Sequence, residues 1–241
     1  MPSVPAANGR VVSSDLEPAG IWTEEKVKKE LTEWGIKAPR GEFLKDLGEL
    51  DRVALTLDYP VVAKVISPDI PHKTDVGAIR IDIGDSTELA RACKEIVDAA
   101  KERQPGAEIN GVLVEEMVNE SGVEMFIGVE DDAQFGPLIV CGLGGIFVEI
   151  FEDVVIRRAP ISPEEAGKML AELKGYPLLT GARGGVKADV DALITALVRV
   201  SEFAYQHRGV LKEMDINPVI VATEGSGIVA LDGLVVWHGG G

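Results

Sequence analysis

The sequence predicts an α+β fold, and three observations lead there. Short apolar or alternating stretches recur at 60–66, 78–83, 111–118, 123–129, 137–142 and 154–159, the length and period of strands buried on one or both faces. Helical spacing appears between and after these stretches without the regular strand–helix–strand alternation of a wound parallel sheet, so the elements group as α+β. The chain has 241 residues, 46% of them apolar, which suffices for one large domain or a pair of lobes sharing a cleft.

Residues 1–20 mix Pro, Ser, Ala and Gly without a period and read as an extended arm that orders only against something else. Thr23 before Glu24 and Glu25, then Val27, Leu31 and Trp34, predicts a capped amphipathic helix ended by Gly35. A second helical pattern covers about 42–54. The run 60–66, the polar loop 67–75 and the alternation 78–83 read as strand, loop, strand. Over 86–102 the residues Leu89, Ala92, Cys93, Ile96, Val97 and Ala100 keep helical spacing, and Gly106 closes the segment. Strand patterns follow, and Ser162-Pro163-Glu164-Glu165 then starts a helix over 163–174, with Ser as cap and Pro in the first turn. Another helix covers about 190–207. The last patterns, 212–221 and 227–231, form a hairpin. No repeat of solenoid length is present.

Composition narrows the function. The formal net charge of −16 argues against nucleic acid or an acidic membrane surface as partner, since both demand a basic face. A nucleotide is still permitted if a few placed Lys and Arg and a divalent cation meet its phosphates. No apolar run approaches the roughly 20 residues that span a bilayer, and residues 1–20 lack the basic start and apolar stretch of a signal peptide, so a soluble, cytoplasmic protein is expected. Cys93 and Cys141 fall in apolar patterns and read as buried structural thiols.

Glu213-Met214-Asp215-Ile216-Asn217-Pro218 carries the most chemistry. Residues two apart on a strand share a face, so Glu213, Asp215 and Asn217 present three oxygen-bearing groups together. If 223–226 form a four-residue turn, Ala222 faces Gly227, and counting five back and five forward sets Asn217 opposite Asp232. Cross-strand neighbours lie about 4.5–5.5 Å apart at Cβ, close enough for both to ligate one Mg2+. A solvated strand face is the bland alternative. Lys64 lies inside Val61-Val62-Ala63-Lys64-Val65-Ile66, and a buried ammonium there needs an anion, such as a phosphate, unless it snorkels from an edge strand. His72 sits among the turn residues of 67–77 with Asp75 near it, where it could act as acid, base or phosphoryl carrier; an exposed loop histidine is the alternative. His207 ends a helix and His238 lies beside the terminal glycines, and neither calls for a role. The glycines of Cys141-Gly142-Leu143-Gly144-Gly145 fail a dinucleotide fingerprint because Phe147 stands where Gly or Ala belongs. Those of Gly181-Ala182-Arg183-Gly184-Gly185-Val186-Lys187 fail a Walker A because Val186 takes the second glycine's place. At Glu115-Glu116-Met117-Val118 two acids end a strand, and backbone there could read an adenine edge with Glu124 on a ribose hydroxyl.

In order, PVVAKVISPDIPHKTDVGAIR, GVLVEEMV, the stretch from GVEMFIGVEDD to RRAPIS, LLTGARG, EMDINPVIV and ALDG run from about residue 23 to 234. The series resembles the ATP-grasp subunit of the NDP-forming acyl-CoA synthetases, the group containing ADP-forming acetyl-CoA synthetase, with succinyl-CoA synthetase more distant. The resemblance implies an ATP-grasp fold, two α+β lobes gripping a nucleotide. After the arm, 21–241 would form that domain, with a nucleotide-facing lobe at about 40–115 and a metal-binding lobe at about 116–235. It implies Lys64 on phosphate, Glu115, Glu116, Met117 and Val118 at the adenine, Glu124 near the ribose, and Gly77 and Arg80 among the ATP-binding residues. It further implies Mg2+ on Asn217 and Asp232, Asp215 steadying a phosphohistidine, and His72 carrying phosphate. The implied reaction is acyl-CoA + ADP + Pi to acid + CoA + ATP. The implied partner is a separate alpha subunit with the CoA-binding and ligase domains, assembled as α2β2. A succinyl-CoA or malyl-CoA type subunit, and a non-catalytic ATP-sensing ATP-grasp module, are the alternatives. The roles of Arg157, Arg158 and Arg183 are open.

Overall fold

Among the described residues two antiparallel sheets divide the chain, and the order in which their strands arise decides which side chains meet. The structure, a computed structural model, describes residues 20–70, 73–118, 121–145 and 152–238. The arm expected at 1–20 lies outside them except for its last residue. Strand β1 (Gly20–Trp22) leads into helix α1 (Glu24–Glu33), where the Thr23 hydroxyl accepts from the Lys26 N–H at 3.4 Å. Gly35, at φ +76, ends the helix and lets the Ile36 N–H reach the Leu31 carbonyl at 2.9 Å.

Strand β2 (Gly41–Leu44), a 3-10 turn (Leu47–Glu49) and the short helix α2 (Leu50–Val53) occupy the segment expected to be one helix at about 42–54. That expectation is corrected by tertiary pairing: Gly41 to Leu44 oppose Glu115 to Val112, and the ladder outweighs a weak helical period. The Asp46 carboxylate then accepts from the Gly48 N–H at 2.6 Å and turns the chain. Strands β3 (Val61–Ile66) and β4 (Ile79–Ile83), helix α3 (Ser86–Arg103) and strand β5 (Gly111–Glu116) complete a smaller lobe with sheet order β2-β5-β3-β4. Val61, Ala63 and Val65 of β3 and Val112 and Val114 of β5 bury against Leu89, Cys93 and Ile96 of α3. By alternation Lys64 leaves the other face of β3, opposite Leu113 and Ile79.

The larger lobe contains β6 (Val123–Asp132), β7 (Gly136–Leu143), β8 (Val154–Arg158), α4 (Pro163–Ala171), α5 (Tyr176–Leu179), α6 (Val190–Gln206), β9 (Leu211–Val221), β10 (Ile228–Ala230) and β11 (Leu234–Trp237). Its sheet runs β1-β11-β9-β6-β7-β8, with β10 also on β9. Met125, Ile127, Ile139, Cys141, Met214 and Ile216 of the sheet pack with Leu193, Leu197 and Val200 of α6. Residues 20–36 belong here, because β1 pairs β11 and α1 places Val27 and Leu31 in this core. The smaller lobe, 41–116, is thus an insertion into the larger. Both cysteines are buried and free, and among the described residues no helix is long and apolar enough to cross a membrane.

Candidate functional site

The β9–β10 hairpin has the register that its turn length dictates. The Ala222 N–H bonds the Gly227 carbonyl at 3.1 Å, and Val221, Ile220 and Val219 oppose Ile228, Val229 and Ala230. Two residues on, the Asn217 N–H bonds the Asp232 carbonyl at 3.3 Å, so the two residues are cross-strand neighbours. Met214 and Ile216 enter the core, whereas Glu213, Asp215 and Asn217 line the opposite face. Asp215 stands between Leu234 and Gly128, whose lack of a side chain leaves that part of the face open.

Both lobes wall a cleft of about 750 Å3 over this face, with Glu24, Asp215, Asn217 and Asp232 from the larger lobe and Ser67 and Lys73 from the smaller. The volume is that of small-molecule sites. Behind it a buried ring of charge joins the lobes. Lys64 Nζ lies 2.8 Å from Glu24 Oε1 and 2.9 Å from Glu115 Oε2; Lys28 Nζ lies 2.8 Å from Glu24 Oε1 and 2.5 Å from Glu115 Oε1. Lys64 also donates to the Leu231 carbonyl at 2.8 Å. At the cleft edge Lys73 Nζ lies 3.1 Å from both Glu24 Oε2 and Asp232 Oδ2. Glu24 and Lys28 reach the ring because they are one turn apart on α1, so a single helix face delivers both charges.

The charges tune one another. Burial pushes the Glu24 carboxyl up, but Lys64, Lys28 and Lys73 outweigh it and hold it well below the carboxylate range. Burial lowers Lys64 and Lys73, and the carboxylates around them more than reverse this, Glu24 foremost. Asp232 moves the other way: burial and then Glu24 raise it, against a smaller opposing pull from Lys73, Lys64 and Lys28. Asp232 is therefore held above the ordinary carboxylate value by burial first and by the neighbouring Glu24 second.

The structure brings some expected residues together and separates others. The reading that Lys64 needs an anion holds, but the anions are the carboxylates of Glu24 and Glu115. Glu115 is committed to this ring. Glu116 accepts from the Asp58 N–H at 3.0 Å and pairs with Arg40 at 3.3 Å. The N–H groups of Glu116 and Met117 bond the carbonyls of Arg40 and Pro60, so those two donors do not read an adenine edge here. Val118 continues that connection, half-buried. Arg80 is a correction: its guanidinium pairs with Glu95 of α3 at 2.9 Å, on the face of the sheet opposite Lys64. Gly77 closes its loop at φ +67, its N–H on the Thr74 carbonyl. Glu124 shares the sheet face of Asn217, and its side chain lies across Gly144, where a Cβ would come within 2.6 Å of its Cγ. His72 lies outside the described residues, as does the side chain of Arg183. Arg157 joins β8 to α4 through Glu165 at 2.6 Å, a structural use, and Arg158 opposes Leu138 at the sheet edge.

A model of the family described as "ATP-grasp domain" matches residues 16–236. The chain belongs to the ATP-grasp family. The beta subunit of ADP-forming acetate–CoA ligase II from Pyrococcus furiosus is 41% identical over 216 residues, covering 90% of this chain and 91% of that protein. ADP-forming acetate–CoA ligase I from Archaeoglobus fulgidus is 40% identical over 223 residues; the match takes in 92% of this chain but spans only 30% of that longer protein. A solved structure of Ca. Korarchaeum cryptofilum acetyl-coenzyme A synthetase 1, with coenzyme A, Ca-AMPCP and HgCl+, agrees at TM-score 0.84 and 36% identity, covering 91% of this chain and 94% of that one. This ATP-grasp chain thus matches, along nearly its whole length, a relative named as a beta subunit.

The donor set of the ATP-grasp cleft suits a hard divalent cation. Asn217 and Asp232 would each ligate through a side-chain oxygen, and Lys73 already places a positive charge on Asp232 Oδ2. Among the described residues no cluster of three His, Cys, Asp or Glu exists that could hold a metal ion. The sequence reading missed Glu24, Lys28 and Lys73. The i,i+4 spacing of Glu24 and Lys28 beside Val27 and Leu31, and the position of Lys73 in the polar loop, were the available signals.

Proposed function

We propose that this chain is the nucleotide-binding subunit of an ADP-forming acyl-CoA ligase catalysing acyl-CoA + ADP + Pi to acid + CoA + ATP, with acetate as acid and a separate alpha subunit binding CoA in an α2β2 assembly. The observation that supports it is the cleft itself: Asn217 and Asp232 opposed on a hairpin of one lobe, with Lys73 reaching Asp232 from the other. Mg2+ on Asn217 and Asp232 would neutralise charge on the nucleotide phosphates. The chain's own groups would position those phosphates over the open face beside Gly128, with adenine toward Met117 and Val118 and ribose toward Glu124. His72 would accept the phosphoryl group of an acyl phosphate, releasing the acid, and pass it to ADP, with Asp215 steadying the imidazolium. The relative's "subunit beta" name and the Ca-AMPCP complex of the Korarchaeum enzyme support partner and nucleotide respectively.

The test is to copurify the chain with its alpha partner and incubate the complex with Mg2+ and γ-labelled ATP. A protein-bound label that vanishes in His72→Ala and is discharged by ADP is expected. Tight Mg2+-nucleotide binding with no label would instead make the chain an ATP sensor, and no nucleotide binding would refute the proposal.

A further inference from the structure

Glu24 is, among the described residues, the one carboxylate that meets both ammonium groups the smaller lobe sends towards the larger. Its Oε1 accepts a hydrogen bond from Lys64 of β3 at 2.8 Å. Its Oε2 accepts none; Lys73 Nζ, from the loop after β3, stands 3.1 Å from it as an ion pair. Glu115 meets Lys64 but not Lys73, and Asp232 meets Lys73 but pairs with no other lysine. Lys28, the remaining ammonium on Glu24, belongs to the same helix and moves with it.

The backbone under Glu24 is fixed. Thr23 caps α1, and Val27 and Leu31 bury the next turns in the core of the larger lobe. A carboxylate in the first turn of a helix also suits its dipole. Glu24 nonetheless lines the cleft close to Asp232 and Asn217, and a negative charge there repels phosphates. What it offers in return is placement. A lysine carries its charge on a flexible four-carbon stem, and ordering such a stem when a ligand arrives weakens binding. One carboxylate that already holds two of these stems removes most of that loss.

We propose that Glu24 is a positioning residue for the phosphates, gathering Lys64 and Lys73 beside them without touching the nucleotide itself. The proposal rests on the nucleotide reading of the cleft. The open acceptor on Oε2 lets Lys73 shift towards a ligand and stay anchored, and Lys28 keeps Glu24 and Glu115 compensated as the smaller-lobe ammoniums adjust.

Two titrations of the full chain test this without turnover: MgADP by calorimetry, and adenosine by ligand-detected nuclear magnetic resonance, which reads weak binding. Adenosine has no phosphate, so it reports whether a substitution has spoiled the cleft as a whole. Glu24→Gln keeps the shape and removes the charge. It should bind MgADP about ten- to a hundredfold more weakly, the worth of one hydrogen bond to a charged group, and adenosine within about threefold of wild type. Glu24→Asp keeps the charge but withdraws it by one methylene, and it carries the test if Glu24→Gln does not fold. It should weaken MgADP at least about threefold, with adenosine again unchanged. Charge alone acts in the opposite direction, since removing an anion near the phosphates tightens their binding. MgADP binding by Glu24→Gln or Glu24→Asp as tight as wild type or tighter, or an equal loss for both ligands, overturns the proposal alone. Absence of MgADP binding by wild type overturns the nucleotide reading and this proposal with it.

Discussion

Replacing Lys64 by methionine removes one ammonium from a ring whose carboxylates, Glu24 and Glu115, have side chains only 3% exposed. Glu24 keeps Lys28 and Lys73, but Glu115 is left with Lys28 alone, so the two-Lys, two-Glu ring passes from neutral to a net charge of −1 where water barely enters. Removing one partner of a buried pair costs about 3–5 kcal/mol. For a chain of this size each kcal/mol moves Tm by about 2–4 °C, so the midpoint should fall by about 6–20 °C. The Glu115→Gln background sharpens the test. There the loss of Lys64 restores neutrality, and its cost should shrink by more than about 1.5 kcal/mol, the coupling expected of groups in one network. Urea denaturation of the wild type, both single variants and the double variant, followed by circular dichroism, measures the cycle. A cost under about 1 kcal/mol, or the same cost in both backgrounds, would mean that the ring carries no coupling and the lobes are held by apolar contact alone.

Stability should be flat across the middle of the pH range and fall at both ends. Glu24, held below its ordinary value of 4.5, contributes above that pH and loses its contribution as pH drops beneath it; Lys64, held above 10.5, contributes below that pH and loses it as pH climbs past. Asp232, raised from 3.8, runs in the opposite sense and softens the acid limb; urea midpoints across pH 3–11 check the shape, and Glu24→Gln should flatten the acid side. Asp232→Asn should abolish the Mg2+ dependence of ADP binding while leaving Tm within about 3 °C, read by calorimetry with and without chelator. Gly144→Ala puts a Cβ 2.6 Å from Glu124 Cγ, so it should swing Glu124 aside and weaken ADP binding several-fold with little change in the urea midpoint. Burial pushes the Cys93 thiol up to about 11 and Cys141 to about 12, so neither should react with a thiol reagent at pH 8 until denaturant is added.

The cleft's metal-facing hairpin was legible in the sequence because a four-residue turn and a period of two fix every partner along a ladder, and Asn217 and Asp232 lie only 15 residues apart in the numbering. The ring was not legible. Lys64 meets Glu24 across 40 positions and Lys28 meets Glu115 across 87, and no local period encodes pairings at that range. The apolar surroundings of Lys64 did announce burial and the need for an anion, but a sequence cannot say whether that anion is a side chain or a ligand. Strands β1 and β11 escaped notice because three and four residues are too few to show alternation, and β2 because its helical period was an accident of Phe43, Leu44 and Leu47 falling near one another. Arg80 was misplaced for a related reason. It is adjacent in number to Ile79, which opposes Lys64, and one step along a strand reverses the face.

Because β1, among the described residues, pairs only with β11, and β11 with β9, it has no ladder partner there until β11 exists. On the ribosome, residues 41–116 can close around their own core as soon as β5 emerges, since every strand of that sheet lies within them. Trp22 must wait for Trp237, whose ring lies 5.1 Å from its own and tilted by 55°. Helix α1 therefore docks last, bringing Glu24 and Lys28 onto a surface where Lys64 and Glu115 are already waiting, and the two charges of each sign are desolvated together rather than one at a time.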